Sequence, residues 1–170
     1  MRHVGGDGDF DEWVRDRWPT LVRLSRVIAG DQTMAEDVLQ DALIDVYPRW
    51  PRLTEQGDPT GYVVRVMASK VANRRRTAWA RRVIPLPQDH SAFDGATGAG
   101  DLTSINRIDV ARALSALKPR QRSIVALHYL MDWPVAEIAA ALDMPIGSVT
   151  SDLTRARSAL RLTLGGDPDD

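Results

Sequence analysis

The chain has no cysteine, which excludes disulfides, thiolate metal sites and a cysteine nucleophile, and fits a reducing compartment. No stretch approaches the roughly 20 apolar residues of a membrane helix. The start, MRHVGGDGDFDEW, lacks the apolar core of a signal peptide. A soluble cytoplasmic protein with no membrane partner is therefore expected. Histidine is scarce, and His3, His90 and His128 are scattered without metal-ligand spacing, so neither a metal nor another cofactor is expected. No P-loop or dinucleotide fingerprint occurs, and the serines lack a nearby His/Asp pattern. Without a convergent set of reactive groups the chain reads as a non-enzyme. Trp13, Trp18, Trp50, Trp79 and Trp133 read as packing anchors rather than a ligand cage.

What is present is an ordinary apolar content, 44% of 170 residues, enough for one medium domain or two small ones. The net charge of −1 is unlike that of a typical DNA binder, but the charge is segregated. From Val27 to Pro48 there is no basic residue, whereas Asp31, Glu36, Asp37, Asp41 and Asp45 occur. From Pro59 to Gln88 there is no acidic residue, whereas Arg65, Lys70, Arg74, Arg75, Arg76, Arg81 and Arg82 occur. Two readings follow: an acidic surface for a basic protein and a cationic one for phosphates, or two solvated helix faces that pair with each other.

Helical periodicity runs through most of the chain. A first helix is expected from about Phe10 to Ala29, with Pro19 as a kink or break. A second opens at Thr33, with Glu36 at capping-box spacing, and ends at Pro48–Pro51. It turns Met34, Val38, Leu39, Leu43, Val46 and Tyr47 inward and aligns Asp37, Asp41 and Asp45 outward beside Gln40. A third begins at Asp58-Pro59 and reaches about Arg82. Residues 83–106 are rich in Pro, Gly, Ala and Asp and read as a linker. Helix returns near Ile108 to Leu117 and again from Arg120 to Leu130, with Ile124, Leu127 and Leu130 inward. No strand-period run or repeat is visible. The fold class expected is all-α: two small helical domains, 8–82 and 107–164, joined by a flexible linker.

The last ordered stretch, 134–161, is the most informative. Ile138, Ala139 and Leu142 mark one helix; Val149, Leu153, Ala156 and Leu160 mark a second; Asp143-Met144-Pro145-Ile146-Gly147 makes the turn. Docked this way, the second helix turns Ser151, Thr154, Arg155 and Ser158 outward, with Thr150 and Arg157 on the flank. Such a helix suits a DNA major groove, although the same pattern serves an ordinary helical hairpin.

Two motifs in this order carry a family resemblance. Ala35-Glu36-Asp37-Val38-Leu39-Gln40-Asp41-Ala42 resembles the family's A-E-D-L-V-Q-E-A. Leu117-Lys118-Pro119-Arg120-Gln121-Arg122, followed by Pro145-Ile146-Gly147-Ser148-Val149-Thr150-Ser151-Asp152-Leu153-Thr154-Arg155-Ala156-Arg157, resembles L-P-x-R-Q-R and P-I-G-T-V-K-S-R-L-x-R-A-R. The chain resembles the extracytoplasmic-function (ECF) sigma factors of the sigma-70 superfamily, and among them the short actinobacterial forms called the SigE family. The resemblance implies a subunit that joins core RNA polymerase, through its clamp coiled coil and flap, and directs it to promoter DNA. It implies that Asp37, Gln40 and Asp41 dock on the clamp. It implies that Tyr62, Arg65, Ser69, Lys70, Asn73, Arg74, Arg75 and Arg76 bind and melt the minus-ten element, with Tyr62 either stacking on a base or packing in the core. Ser148, Thr150, Ser151, Thr154, Arg155 and Ser158 would read the minus-thirty-five element. An anti-sigma factor is a further partner common in the family.

Some positions depart from the family pattern. Thr150 and Asp152 stand where Lys and Arg are usual, which removes phosphate contacts. Asp152 is expected to accept from a cytosine amino group or to pair with Arg155. Ser69 replaces a frequent Asn, and Pro134 replaces a Ser cap. Two rival functions remain open at this point: a free-standing helix-turn-helix regulator, and a decoy that holds polymerase or an anti-sigma factor with weakened promoter reading.

Overall fold

A computed structural model describes residues 7–80 and 112–164, and among them every regular element is a helix. The linker 83–106 and the tail beyond residue 164 lie outside the described residues.

Helix α1, Asp7–Ala29, runs uninterrupted through Pro19, so the expected kink does not split it. It stops where Gly30 takes φ +72° and donates its N–H to the Arg26 carbonyl at 2.9 Å. Helix α2, Gln32–Val46, is capped by Asp31, whose Oδ1 accepts from the Met34 N–H at 2.7 Å. The cap is therefore Asp31 rather than Thr33, because a carboxylate one residue before the helix reaches the free N–H directly. Ala35, Val38, Leu39, Ala42 and Val46 are buried, and the α1 side of the core holds Leu21, Leu24 and Ile28.

Helix α2 ends at Val46 as expected, and the two prolines that follow also begin new turns. A 3-10 turn, Tyr47–Arg49, leads into α3, Trp50–Glu55, and each proline falls in the first turn, where its missing N–H leaves no bond unmade. Tyr47 is 43% exposed rather than inward, with its ring edge-on to Phe10 at 5.1 Å. Phe10, Trp13 and Trp50 close the end of the bundle: Trp50 lies 5.1 Å from Phe10 and 5.1 Å from Trp13, and is buried. Helix α4, Thr60–Ala80, starts after Asp58, whose Oδ1 accepts from the N–H and the hydroxyl of Thr60 at 3.0 and 2.7 Å. Val63, Val64, Met67 and Val71 join the core.

In the C-terminal half, residues 112–115 are helical and precede α5, Pro119–Leu130. Gln121 reaches back to accept the Lys118 N–H at 3.1 Å. Helix α6, Val135–Ala141, and helix α7, Ile146–Leu164, form the expected helix-turn-helix. The turn is made by Asp143 at φ +54°, after which the Met144 N–H returns to the Ala139 carbonyl at 2.8 Å.

The two halves touch. Helix α5 packs on α1 and α4, and α6 packs on the start of α4. Glycines permit the approach: a Cβ on Gly61 would stand 2.3 Å from the Ala141 Cβ and 3.2 Å from the Trp133 ring. The acidic face of α2 lies outside this seam, with Asp37 and Gln40 exposed.

Candidate nucleic-acid and polymerase interface

Helical spacing sets Asp37, Gln40, Asp41 and Asp45 on one outward strip of α2, because its opposite side is the core stripe of Val38, Leu39, Ala42 and Val46. Helix α4 runs beside it. The Arg74 guanidinium reaches Asp37 Oδ2 at 3.3 Å and Asp41 Oδ2 at 2.7 Å, and Lys70 Nζ lies 2.8 Å from Asp45 Oδ2. The acidic and basic blocks therefore pair with each other while staying at the surface. The Asp37 side chain remains 62% exposed and Asp41 45%. The pairing reading of the charge blocks holds, and the paired faces form one continuous outer surface.

The remaining α4 positions separate into groups. Ser69, Asn73 and Arg76 are exposed, and Arg76 donates to the Asn73 side-chain oxygen. Tyr62 is half-buried with the Arg65 guanidinium 4.8 Å from its ring centre, so one face of the ring is already covered by a cation. Arg75 turns away from Arg74 and Arg76 and donates to the Ala29 carbonyl at 3.2 Å. Burial lowers its pKa, and Asp31 pulls in the opposite direction. Arg75 thus sits in the seam rather than on the cationic face.

On α7, Thr150, Ser151, Thr154, Arg155 and Ser158 are exposed and Ser148 is half-buried. Thr150, Thr154 and Ser158 each donate their hydroxyl to the carbonyl four residues earlier, at 3.0, 2.9 and 3.1 Å. Each hydroxyl oxygen keeps its acceptor capacity while donating. Arg157 donates Nε–H to the Tyr129 hydroxyl at 2.8 Å and lies near His128, whose other ring nitrogen contacts the Trp133 carbonyl at 3.1 Å.

Asp152 is not a groove residue. It is 2% exposed and lies on the buried flank of α7, with Oδ2 2.7 Å from Arg120 Nη2 of α5 and Oδ1 3.7 Å from Arg155. The expected cytosine contact is excluded by this placement, whereas the Arg155 pairing is present as the weaker of two ion pairs. The cause is register: Asp152 falls beside Leu153 and Val149 on the docked side. Arg122 was also invisible as a seam residue. It is fully buried on α5, and nothing in its spacing distinguishes a buried guanidinium from an exposed one.

Among the described residues no cluster of potential metal ligands occurs, and no helix is long and apolar enough to cross a membrane.

The chain matches two family profiles in order: "Sigma-70 region 2" over residues 13–81 and "Sigma-70, region 4" over residues 107–160. It is 35% identical over 158 residues to an RNA polymerase sigma-E factor of Streptomyces coelicolor, covering 90% of this chain and 84% of that protein. The chain belongs to the sigma-70 family. A sigma-E factor of Streptomyces avermitilis is 34% identical over 155 residues, covering 90% of this chain and 83% of its own. The ECF sigma factor SigL of Mycobacterium tuberculosis is 28% identical over 156 residues, 91% of this chain and 86% of that one. In fold, the chain is similar to the sigma factor RpoE solved in complex with the anti-sigma factor NepR from Bartonella quintana. That match has a TM-score of 0.71 at 20% identity and covers 94% of this chain and 98% of the other. Helices α1–α4 of this sigma factor fall within its region 2, apart from the first turns of α1, and α5–α7 fall within region 4 up to the last turn of α7.

Proposed function

We propose that this sigma factor binds core RNA polymerase through the outward strip of α2 and places α4 and α7 on the two promoter elements, without catalysis of its own, in the cytoplasm. Asp37, Gln40 and Asp41 are the core-binding groups: exposed acceptors that a cationic partner engages through charge-assisted hydrogen bonds. Ser69, Lys70, Asn73, Arg74 and Arg76 line the minus-ten face. Arg65, Tyr62 and Arg75 join them once freed from their present contacts. Ser148, Thr150, Ser151, Thr154, Arg155 and Ser158 form the minus-thirty-five face. We assign residues 8–82 to the first functional unit, 83–106 to the linker and 107–164 to the second. An anti-sigma factor is part of the proposed regulation, as in the RpoE–NepR complex.

The observation that carries this reading is the continuity of the carboxylate strip with the cationic face. A group that meets a protein and groups that meet phosphate lie side by side, as a subunit joining an enzyme to DNA requires. The burial of Asp152 weakens the decoy reading, because its charge is spent on Arg120 and does not repel the duplex. The test is transcription with purified sigma factor and core polymerase on genomic DNA, followed by sequencing of transcript starts. Initiation at a defined set of promoters supports the proposal. Failure to bind core, or binding without redirected initiation, refutes it. Specific duplex binding without polymerase, unaffected by Asp37→Arg, would favour the free-standing regulator.

A further inference from the structure

We infer that α5 adds a phosphate-gripping rim to the minus-thirty-five face: Arg120 from its first turn holds the DNA backbone at one edge of α7, and Tyr129 from its last turn, with Arg157 of α7, holds it at the other. The inference rests on the proposed function, since it adds residues to a surface assigned there. Positions 150 and 152, where the family usually carries Lys and Arg, hold Thr150 and Asp152, so α7 itself lacks two cations that would meet phosphate.

At about 3.6 residues per turn, Ser151, Thr154 and Ser158 form the outward centre of α7, with Asp152 and Arg155 on one side of it and Thr150 and Arg157 on the other. Helix α5 packs behind α7 and brings one end to each of these edges. Its residue Arg120 lies 2.7 Å from Asp152 Oδ2 at the first edge. Its residue Tyr129 accepts the Arg157 Nε–H at 2.8 Å at the second. Nine positions separate Arg120 from Tyr129, about 14 Å of helix. The major groove of B-DNA is about 12 Å wide, so the two ends of α5 are spaced to reach the backbones on its two walls.

The chemistry of each edge suits an anionic oxygen. At the first, the buried Asp152 carboxylate stands between two exposed guanidiniums, Arg120 at 2.7 Å and Arg155 at 3.7 Å. Two cations on one carboxylate leave the edge net positive. Asp152 Oδ2 has no aligned hydrogen bond, so Arg120 is held there by charge and its N–H groups remain for a further acceptor. The carboxylate thereby fixes a long side chain at the groove edge before DNA arrives, which lowers the rotamer entropy lost on binding. At the second edge, the Arg157 guanidinium lies 6.0 Å from the centre of the Tyr129 ring, and its Nη2 is 3.4 Å from His128 Nε2. The Trp133 carbonyl, 3.1 Å from His128 Nδ1, can only accept, so in the neutral ring Nδ1 carries the proton and Nε2 accepts from Arg157. Tyr129 is exposed, and its oxygen already accepts from Arg157, which leaves the hydroxyl hydrogen to donate to a phosphate oxygen. Each edge thus offers donors backed by positive charge, and α5 supplies one to each.

The test uses holoenzyme assembled from core polymerase and the full chain, on a promoter at which the wild type initiates, with promoter-complex affinity measured over a salt series. Arg120→Gln is expected to weaken the complex about tenfold and to lower the salt slope by about 0.9. Tyr129→Phe is expected to weaken it about fivefold, with a smaller change in slope because the lost hydroxyl is neutral. Both losses should be the same on native and base-substituted minus-thirty-five elements, as for contacts to phosphate. Arg120→Gln also leaves Asp152 unpaired, so the double variant Arg120→Gln with Asp152→Asn separates the roles: net charge returns to the wild-type value without the guanidinium. A persisting loss of affinity and slope supports the phosphate contact, and full recovery overturns it. Methylphosphonate at single backbone positions bordering the element gives an independent check. One neutralised phosphate should cost the wild type affinity and cost Arg120→Gln nothing further, whereas additive losses at every position overturn the assignment. Unchanged affinity in both single variants overturns it as well, and so does a loss confined to particular bases. Absence of wild-type initiation is the failure of the proposed function, and it is read before any variant is compared.

Discussion

Arg74 of α4 holds Asp41 of α2 at 2.7 Å, with the neighbouring Asp37 3.3 Å from the same guanidinium. One residue assigned to DNA thus clamps two assigned to polymerase. The pair is half exposed and is worth at most about 1 kcal/mol to stability. Arg74→Ala is expected to leave the thermal unfolding midpoint nearly unchanged and core affinity equal or tighter. Binding to duplexes carrying the minus-ten element should weaken, with the salt slope reduced by about 0.9 for one lost phosphate contact. Fluorescence anisotropy over a salt series measures both quantities.

Asp152 should behave as a structural residue. Replacing it with alanine removes its ion pair to Arg120 between α5 and α7, and the expected cost is about 1–3 kcal/mol in denaturant unfolding. Asp152→Arg, which restores the family's usual residue, should destabilise region 4 further and gain no DNA affinity, because the position faces inward.

Thr150 is the contrasting case. It is exposed on the outward face of α7, so Thr150→Lys should add a phosphate contact. Promoter affinity should rise and the salt slope steepen by about 0.9. A flat response would remove position 150 from the groove face.

Arg122 gives a pH dependence whose sign follows from its surroundings. Burial, and secondarily the charge of Arg75, push its pKa down to about 9 from 12.5. Below about 9 it is charged both folded and unfolded, and folding carries the full cost of burying that charge. As pH rises through 9, the folded chain can release the proton while the unfolded chain keeps it, so the cost eases and stability rises. Asp31 faces Arg75 and partly offsets its charge throughout. Stability in denaturant unfolding is expected to rise between about pH 8 and pH 10 in the wild type, and the rise should be absent in Arg122→Met.

Periodicity located the helices of both halves because their apolar stripes face a single core. Val38, Leu39 and Val46, and likewise Val149, Leu153 and Ala156, are all buried where spacing puts them. The helix-turn-helix and the outward strip of α2 were legible for the same reason. Three features were not. Pro48 and Pro51 mark the end of α2 correctly, but a helix-breaking signal does not show that each also opens a new turn. Asp152 and Arg122 are charged, and composition places charge outside; only the packing of α5 on α7 and on α1 shows otherwise. The seam itself depends on the missing side chain of Gly61, and a single glycine in a helical pattern carries no mark of what approaches it.

The outward strip of α2 is the centre of this account, and core-polymerase affinity of Asp37→Arg tests it most directly. Reversing an exposed charge should leave unfolding unchanged, while the equilibrium binding constant for core polymerase should weaken about tenfold or more. Wild-type affinity in a normally folded Asp37→Arg protein would contradict the assignment of that strip to polymerase.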